Sequence, residues 1–77
     1  MATRTVYDVA PHGDGRWHVK RRGADKAASV HDTRFHAVDA GVEVARNNQP
    51  SQLVIHKGDG TIEEERTYGN DPYPPKG

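Results

Sequence analysis

The chain has 77 residues, with 11 basic and 11 acidic side chains, a formal net charge of zero and no cysteine. That length permits one domain close to the lower limit for a self-sufficient core. The missing thiols exclude a disulfide framework, a thiolate metal site and a thiol nucleophile.

Leu, Ile, Val and Phe together supply only twelve of the 77 residues. Such a composition indicates disorder when it is joined to a high net charge. Here the charges balance and the apolar residues are periodic, which predicts a folded domain with a thin core. No apolar run approaches the roughly 18 residues of a membrane span. Nothing after Met1 to Thr5 has the apolar stretch of a secretory signal, and a small secreted domain would need staples that this chain lacks. The expectation is a cytoplasmic protein.

In chain order, Thr5 to Val9 alternates, with Tyr7 and Val9 on one face and Val6 and Asp8 on the other, which predicts a strand. Pro11-His-Gly-Asp-Gly15 is a turn, because glycine accepts positive φ and proline donates no ladder hydrogen bond. Arg16 to Arg22 alternates again, with Trp17 and Val19 inward and His18 and Lys20 outward, so the two strands read as a hairpin. Gly23-Ala-Asp25 interrupts the run, and Ala27 to His31 is a weaker third strand centred on Val30. Asp32 or Thr33 caps a helix over Arg34 to Asn47. Its apolar stripe is expected to be Phe35, Val38, Val42 and Ala45, with Ala37, Gly41 and Val44 beside them, opposite a solvated stripe of His36, Asp39, Glu43 and Arg46. Gly41, unfavourable in mid-helix, suggests close approach of helix to sheet. Pro50 forbids continuation. Ser51 to His56 and Thr61 to Tyr68 then form a second hairpin around Lys57-Gly-Asp-Gly60.

The expected fold class is α+β: an antiparallel sheet, in the order β-β-β-α-β-β, with one helix packed on it. Residues 1–68 would form the domain, with Trp17, Val19, Phe35, Val38, Val42, Leu53, Ile55 and Ile62 as its core. Residues 69–77, with three of the five prolines, would be an extended, mobile tail.

Val9 and Pro11, the run Trp17-His-Val-Lys20, then Gly23-Ala24, resemble the opening of a family of small bacterial proteins known as domain of unknown function 2188. Ala37 and Ala45 in the helix, Ile55-His56, Gly60, Ile62 and Tyr68 continue the likeness over about Val6 to Tyr68. The resemblance implies a compact α+β fold and a bacterial or phage-derived origin. It implies no chemistry.

For function, the five histidines do not stand at metal-ligand spacing, and no pair on the helix is four apart. Ser29 and Ser51 lie in no nucleophile motif. Glu63 and Glu65 are expected on one solvated strand face rather than as a catalytic pair. The sequence therefore predicts no enzyme, metal, cofactor or small-molecule substrate, and no membrane. Neutral charge hides an asymmetry: residues 1–36 carry +3 and residues 37–77 carry −3. Paired strands would bring Lys20-Arg21-Arg22 and Glu63-Glu64-Glu65 together, or the two runs would mark separate faces. Two partner classes follow. One is a protein, either a foreign chain or a second copy, met at an open sheet edge or through Pro72-Tyr73-Pro74-Pro75. The alternative is nucleic acid, held weakly by a basic strip of Arg16, Lys20, Arg21, Arg22 and Lys26.

Overall fold

The computed structural model describes residues 4–69, so the proline-rich segment and its Tyr73 lie outside the described residues. The chain runs β1 (Thr5–Pro11), β2 (Trp17–Arg21), β3 (Ser29–His31), α1 (Arg34–Asn47), β4 (Ser51–His56) and β5 (Ile62–Tyr68). The strands form one sheet in the spatial order β3-β2-β1-β4-β5. The helix lies on one face, chiefly over β1, β2, β4 and β3.

The sheet is mixed rather than antiparallel. β1 and β2 form the expected hairpin, as do β4 and β5. β1 and β4, however, pair in parallel, with Tyr7 beside Leu53 and Val9 beside Ile55. The physical reason is the crossover: β2, β3 and α1 carry the chain over the sheet and back to its starting end, where β4 enters alongside β1. This puts the apolar strand Ser51–His56 at the sheet centre, where Leu53, Val54 and Ile55 are all buried.

The helix begins and ends as its caps dictate. The Thr33 hydroxyl accepts the His36 backbone N–H at 3.1 Å. At the other end the Asn48 side chain donates to the Val44 carbonyl at 2.7 Å. The helix is rotated from the expected orientation, and that rotation takes Phe35 out of the core and moves Val38 and Val42 to its edge. The buried residues of α1 are Ala37, Gly41 and Ala45, one turn apart. Val38 and Val42 are half-buried at the flank, and Phe35 is 72% exposed. A methyl group at Gly41 would lie 2.8 Å from Val9 Cγ2 and 3.0 Å from Leu53 Cδ1. The backbone therefore rests almost directly on the sheet, and only small residues fit the contact line. Ser51, fully buried, has its hydroxyl bonded to the Ala45 carbonyl, which ties the last turn of α1 to β4.

Ile62 is also outside the core, 53% exposed. A bulge sets Ile62 opposite His56 and Glu64 opposite Ile55, leaving Glu63 as the extra residue. The same bulge separates Glu63 from Glu65, which were expected to share a face. Glu63 pairs with Arg34 at the start of α1, whereas Glu65 accepts a hydrogen bond from Gln52 at 2.7 Å on the side of the sheet away from the helix. Val19, Leu53 and Ile55 are buried as expected, joined by Tyr7 and Val9, and Trp17 packs half-buried against them.

Gly41→Ala sets about 1 kcal/mol of improved helix propensity against about 1–3 kcal/mol for overpacking Val9 and Leu53. The expected result is a lower urea midpoint. A raised midpoint would mean that α1 stands farther from the sheet.

Candidate functional site

The face of the sheet away from α1 has Asp8, on the central strand β1, as its hub. The Arg22 guanidinium donates to both carboxylate oxygens, at 2.7 and 3.2 Å. His56, from β4, donates through Nε2 to the same carboxylate at 3.0 Å, while its Nδ1 meets the Gly60 carbonyl at 3.0 Å. Both ring nitrogens face acceptors, so the two bonds together need a proton on each. One carboxylate thus ties the end of β2, the middle of β1, the end of β4 and the β4–β5 turn. Burial alone would raise the Asp8 carboxyl; the hydrogen bonds and positive charges of Arg22 and His56 together outweigh it and hold the group below its ordinary 3.8.

Beside this network, His12 and His18 approach through their Nδ1 atoms at 2.9 Å, their rings edge to face. One must donate and the other accept. Burial, followed by the charges of His12 and Lys20, holds His18 below its ordinary 6.5. Among the described residues no group of three or more His, Cys, Asp or Glu is placed to hold a metal ion. On β3, His31 Nε2 stands 2.8 Å from the Ser29 hydroxyl.

The basic residues singled out in the sequence do not assemble into one strip. Arg16 is turned onto Asp14, through its backbone N–H at 3.1 Å and its guanidinium at 2.9 Å. Lys20 pairs in register with Asp8 on the face away from the helix, and Arg21, one residue on, points to the opposite face beside Tyr7. Arg22 is engaged by Asp8, and Lys26 is exposed in the β2–β3 connection. β1 and β4 separate β2 from β5, so the Lys20–Arg22 and Glu63–Glu65 runs are not neighbours.

A second surface was not anticipated. Because α1 sits over the first four strands, an open groove of about 790 Å³ lies along its outer flank. Phe35, Val38 and Val42 line it from the helix, Arg66 from β5, and Arg46 and Gln49 near its far end. The Arg34–Glu63 ion pair stands at the near end, with the Arg34 guanidinium 5.8 Å from the Trp17 ring centre. Arg66 is fixed by Glu64 at 2.8 Å. The spacing of Phe35, Val38 and Val42 in the sequence carries the signal, but the same spacing fits a core-facing stripe equally well.

A single helix on a five-stranded mixed sheet, with a polar uncovered face, makes this a two-layer α+β domain. The chain belongs to the family described as uncharacterized protein conserved in bacteria (DUF2188), whose pattern it matches over residues 7–68. No curated protein and no solved structure matches it. Among the described residues no helix is long and apolar enough to cross a membrane.

Asp8→Asn removes the charge that Arg22 and His56 share, at an expected cost of about 1–3 kcal/mol at neutral pH. Because the folded carboxyl titrates below its ordinary 3.8, the wild type's advantage is present above that pH and is lost as pH falls through the lower folded value. Urea unfolding of both proteins from neutral to acid pH reads this directly. A gap that stayed open in strong acid would assign the cost to packing rather than charge.

Proposed function

We propose that this protein is a non-enzymatic interaction module, and that its contact surface is the groove between α1 and β5, closed by a second copy of the same chain. The observation that carries the reading is Phe35, 72% exposed at the head of a groove lined by Val38 and Val42. A large aromatic left in water beside two half-buried valines is the composition of an interface centre rather than of a solvated face.

The non-enzymatic part is supported by the polar face. Both His56 nitrogens and both Asp8 oxygens are engaged within the fold, which leaves neither free to move a proton. The Ser29–His31 pair lines neither the α1–β5 groove nor the recess beside Arg4, Thr5 and Val6. The dispersal of Arg16, Lys20, Arg21, Arg22 and Lys26 makes a continuous nucleic-acid strip the weaker reading.

Charge favours the second copy as occupant. Along its exposed side α1 runs Arg34, Asp39, Glu43, Arg46. An antiparallel pairing about a two-fold axis between Val38 and Asp39 sets Phe35 against Val42 of the second copy and Arg34 against its Glu43, each contact occurring twice. A formal net charge of zero offers little repulsion to oppose this. Each buried Phe35 would contribute about 1.5–3 kcal/mol. A helix of 14 residues is about 21 Å long, so the contact belongs to the small class of interfaces and gives a concentration-dependent dimer.

Sedimentation of the full chain from about 10 µM to 1 mM should show that dimer. Phe35→Ser, Arg34→Glu and Glu43→Arg should each be monomeric. Mixing the last two should restore a heterodimer, because each then offers the charge the other lacks. A wild type monomeric throughout, or a dimer untouched by these changes, would overturn the reading.

A further inference from the structure

We infer that His12 and His18 form an acid-operated latch, which holds the β1–β2 turn on the uncovered face of the sheet and releases it when both rings are protonated. The latch stands apart from the α1–β5 groove and does not depend on it.

His18 lies on β2 next to the buried Val19, so its side chain points away from α1. His12 follows the last residue of β1, and its ring turns back over the same face to meet His18. The other bonds of the turn are internal to it. The His12 N–H donates to the Arg16 carbonyl at 2.8 Å, and the Arg16 guanidinium donates to Asp14 at 2.9 Å. Among the described residues, the His12–His18 bond is thus the one side-chain hydrogen bond that joins the turn to a strand.

Geometry sets the protonation logic. The two Nδ1 atoms are 2.9 Å apart, and an N–H···N bond there needs a single proton between them. Two neutral rings satisfy it when one carries its proton on Nδ1 and the other on Nε2. One imidazolium beside one neutral ring satisfies it as well. Two imidazolium rings do not, because two N–H groups then face each other and like charges repel. The second proton, rather than the first, opens the contact.

The surrounding charges favour opening. His18 faces Lys20 on its own strand, Asp8 on β1 and His56 on β4, while His12 faces Asp14 within the turn. Asp8 is already shared by Arg22 and His56, and Asp14 is held by Arg16, so neither carboxylate is left to offset a doubly charged pair. Burial, then His12 and Lys20, keep His18 below its ordinary 6.5. The contact therefore contributes in full above that pH and is lost as pH falls through the lower folded value. Asp8 gives way only below its ordinary 3.8. Between the two, the turn stands free while the hub of the sheet stays in place.

The test follows the full chain, with isotope-labelled histidine, by NMR from about pH 8 to about pH 4.5, the range in which histidine titrates. At the upper end the ring-nitrogen shifts should show Nδ1–H on one of the pair and a bare Nδ1 on the other. On acidification the two rings should titrate in coupled steps. The second step should remove the nuclear Overhauser contacts between the rings and lower the backbone order parameters of His12 to Gly15, with the Gly41–Val9 contact unchanged. His12→Ala, at an exposed position, should keep the fold, give His18 a single step and leave the order of the turn independent of pH. The inference is overturned if both rings carry only Nε2–H at neutral pH or titrate as independent groups. It is equally overturned if the turn keeps its order through the second step, or if the turn of His12→Ala responds to acid as the wild type does.

Discussion

The structure depends on one close contact, between the backbone of α1 at Gly41 and the side chains of Val9 and Leu53 beneath it. No other residue lets the helix descend so far. With Ala37 and Ala45 one turn to either side, Gly41 makes a line of small residues on which α1 rests above the parallel pair β1 and β4. A chain with so few large apolar residues cannot fill a wide space between helix and sheet. It closes the space instead, and packing density replaces apolar volume.

That choice has consequences at both faces of the helix. Turning Ala37, Gly41 and Ala45 inward turns Phe35 away, with Val38 and Val42 at the flank. Because α1 is centred over β1, β2 and β4, β5 projects beyond it and a groove opens between them. The surface proposed for self-association is thus a by-product of how a thin core is packed. On the other face no helix covers the sheet, and its centre is secured by charge: Asp8, Arg22 and His56 join three of the five strands where apolar cover is missing.

Much of this was legible in the sequence, for reasons that are local. Alternation in Thr5–Val9, Trp17–Lys20 and Ser51–Ile55 fixed which residues face the helix, since a strand's side-chain period leaves little choice once one residue is anchored. Thr33 and Pro50 bracketed the helix through backbone chemistry. The rotation of α1 was not legible, because apolar periodicity is dominated by the largest side chains and gives Ala and Gly little weight. Gly41 itself carried the clue, since its cost in mid-helix pointed to a close approach that only an inward position satisfies. The parallel pairing of β1 with β4 joins residues more than forty positions apart, beyond any local signal. The bulge that exposes Ile62 belongs to the register of two strands rather than to either alone. Of the basic residues, their number was visible but not their direction. Arg21 and Arg22 point to opposite faces, and Asp8, fourteen positions away, claims Arg22.

The seating of α1 is tested most directly by NMR with a soluble paramagnetic probe, on dilute protein where self-association is negligible. The account predicts strong attenuation of the Phe35 ring signals, protection of the Ala37 and Ala45 methyl groups, and nuclear Overhauser contacts from the Gly41 α-protons to Val9 and Leu53 methyls. A protected Phe35 ring with attenuated alanine methyls would contradict it, and would return the helix to the orientation in which its largest apolar residues face the sheet.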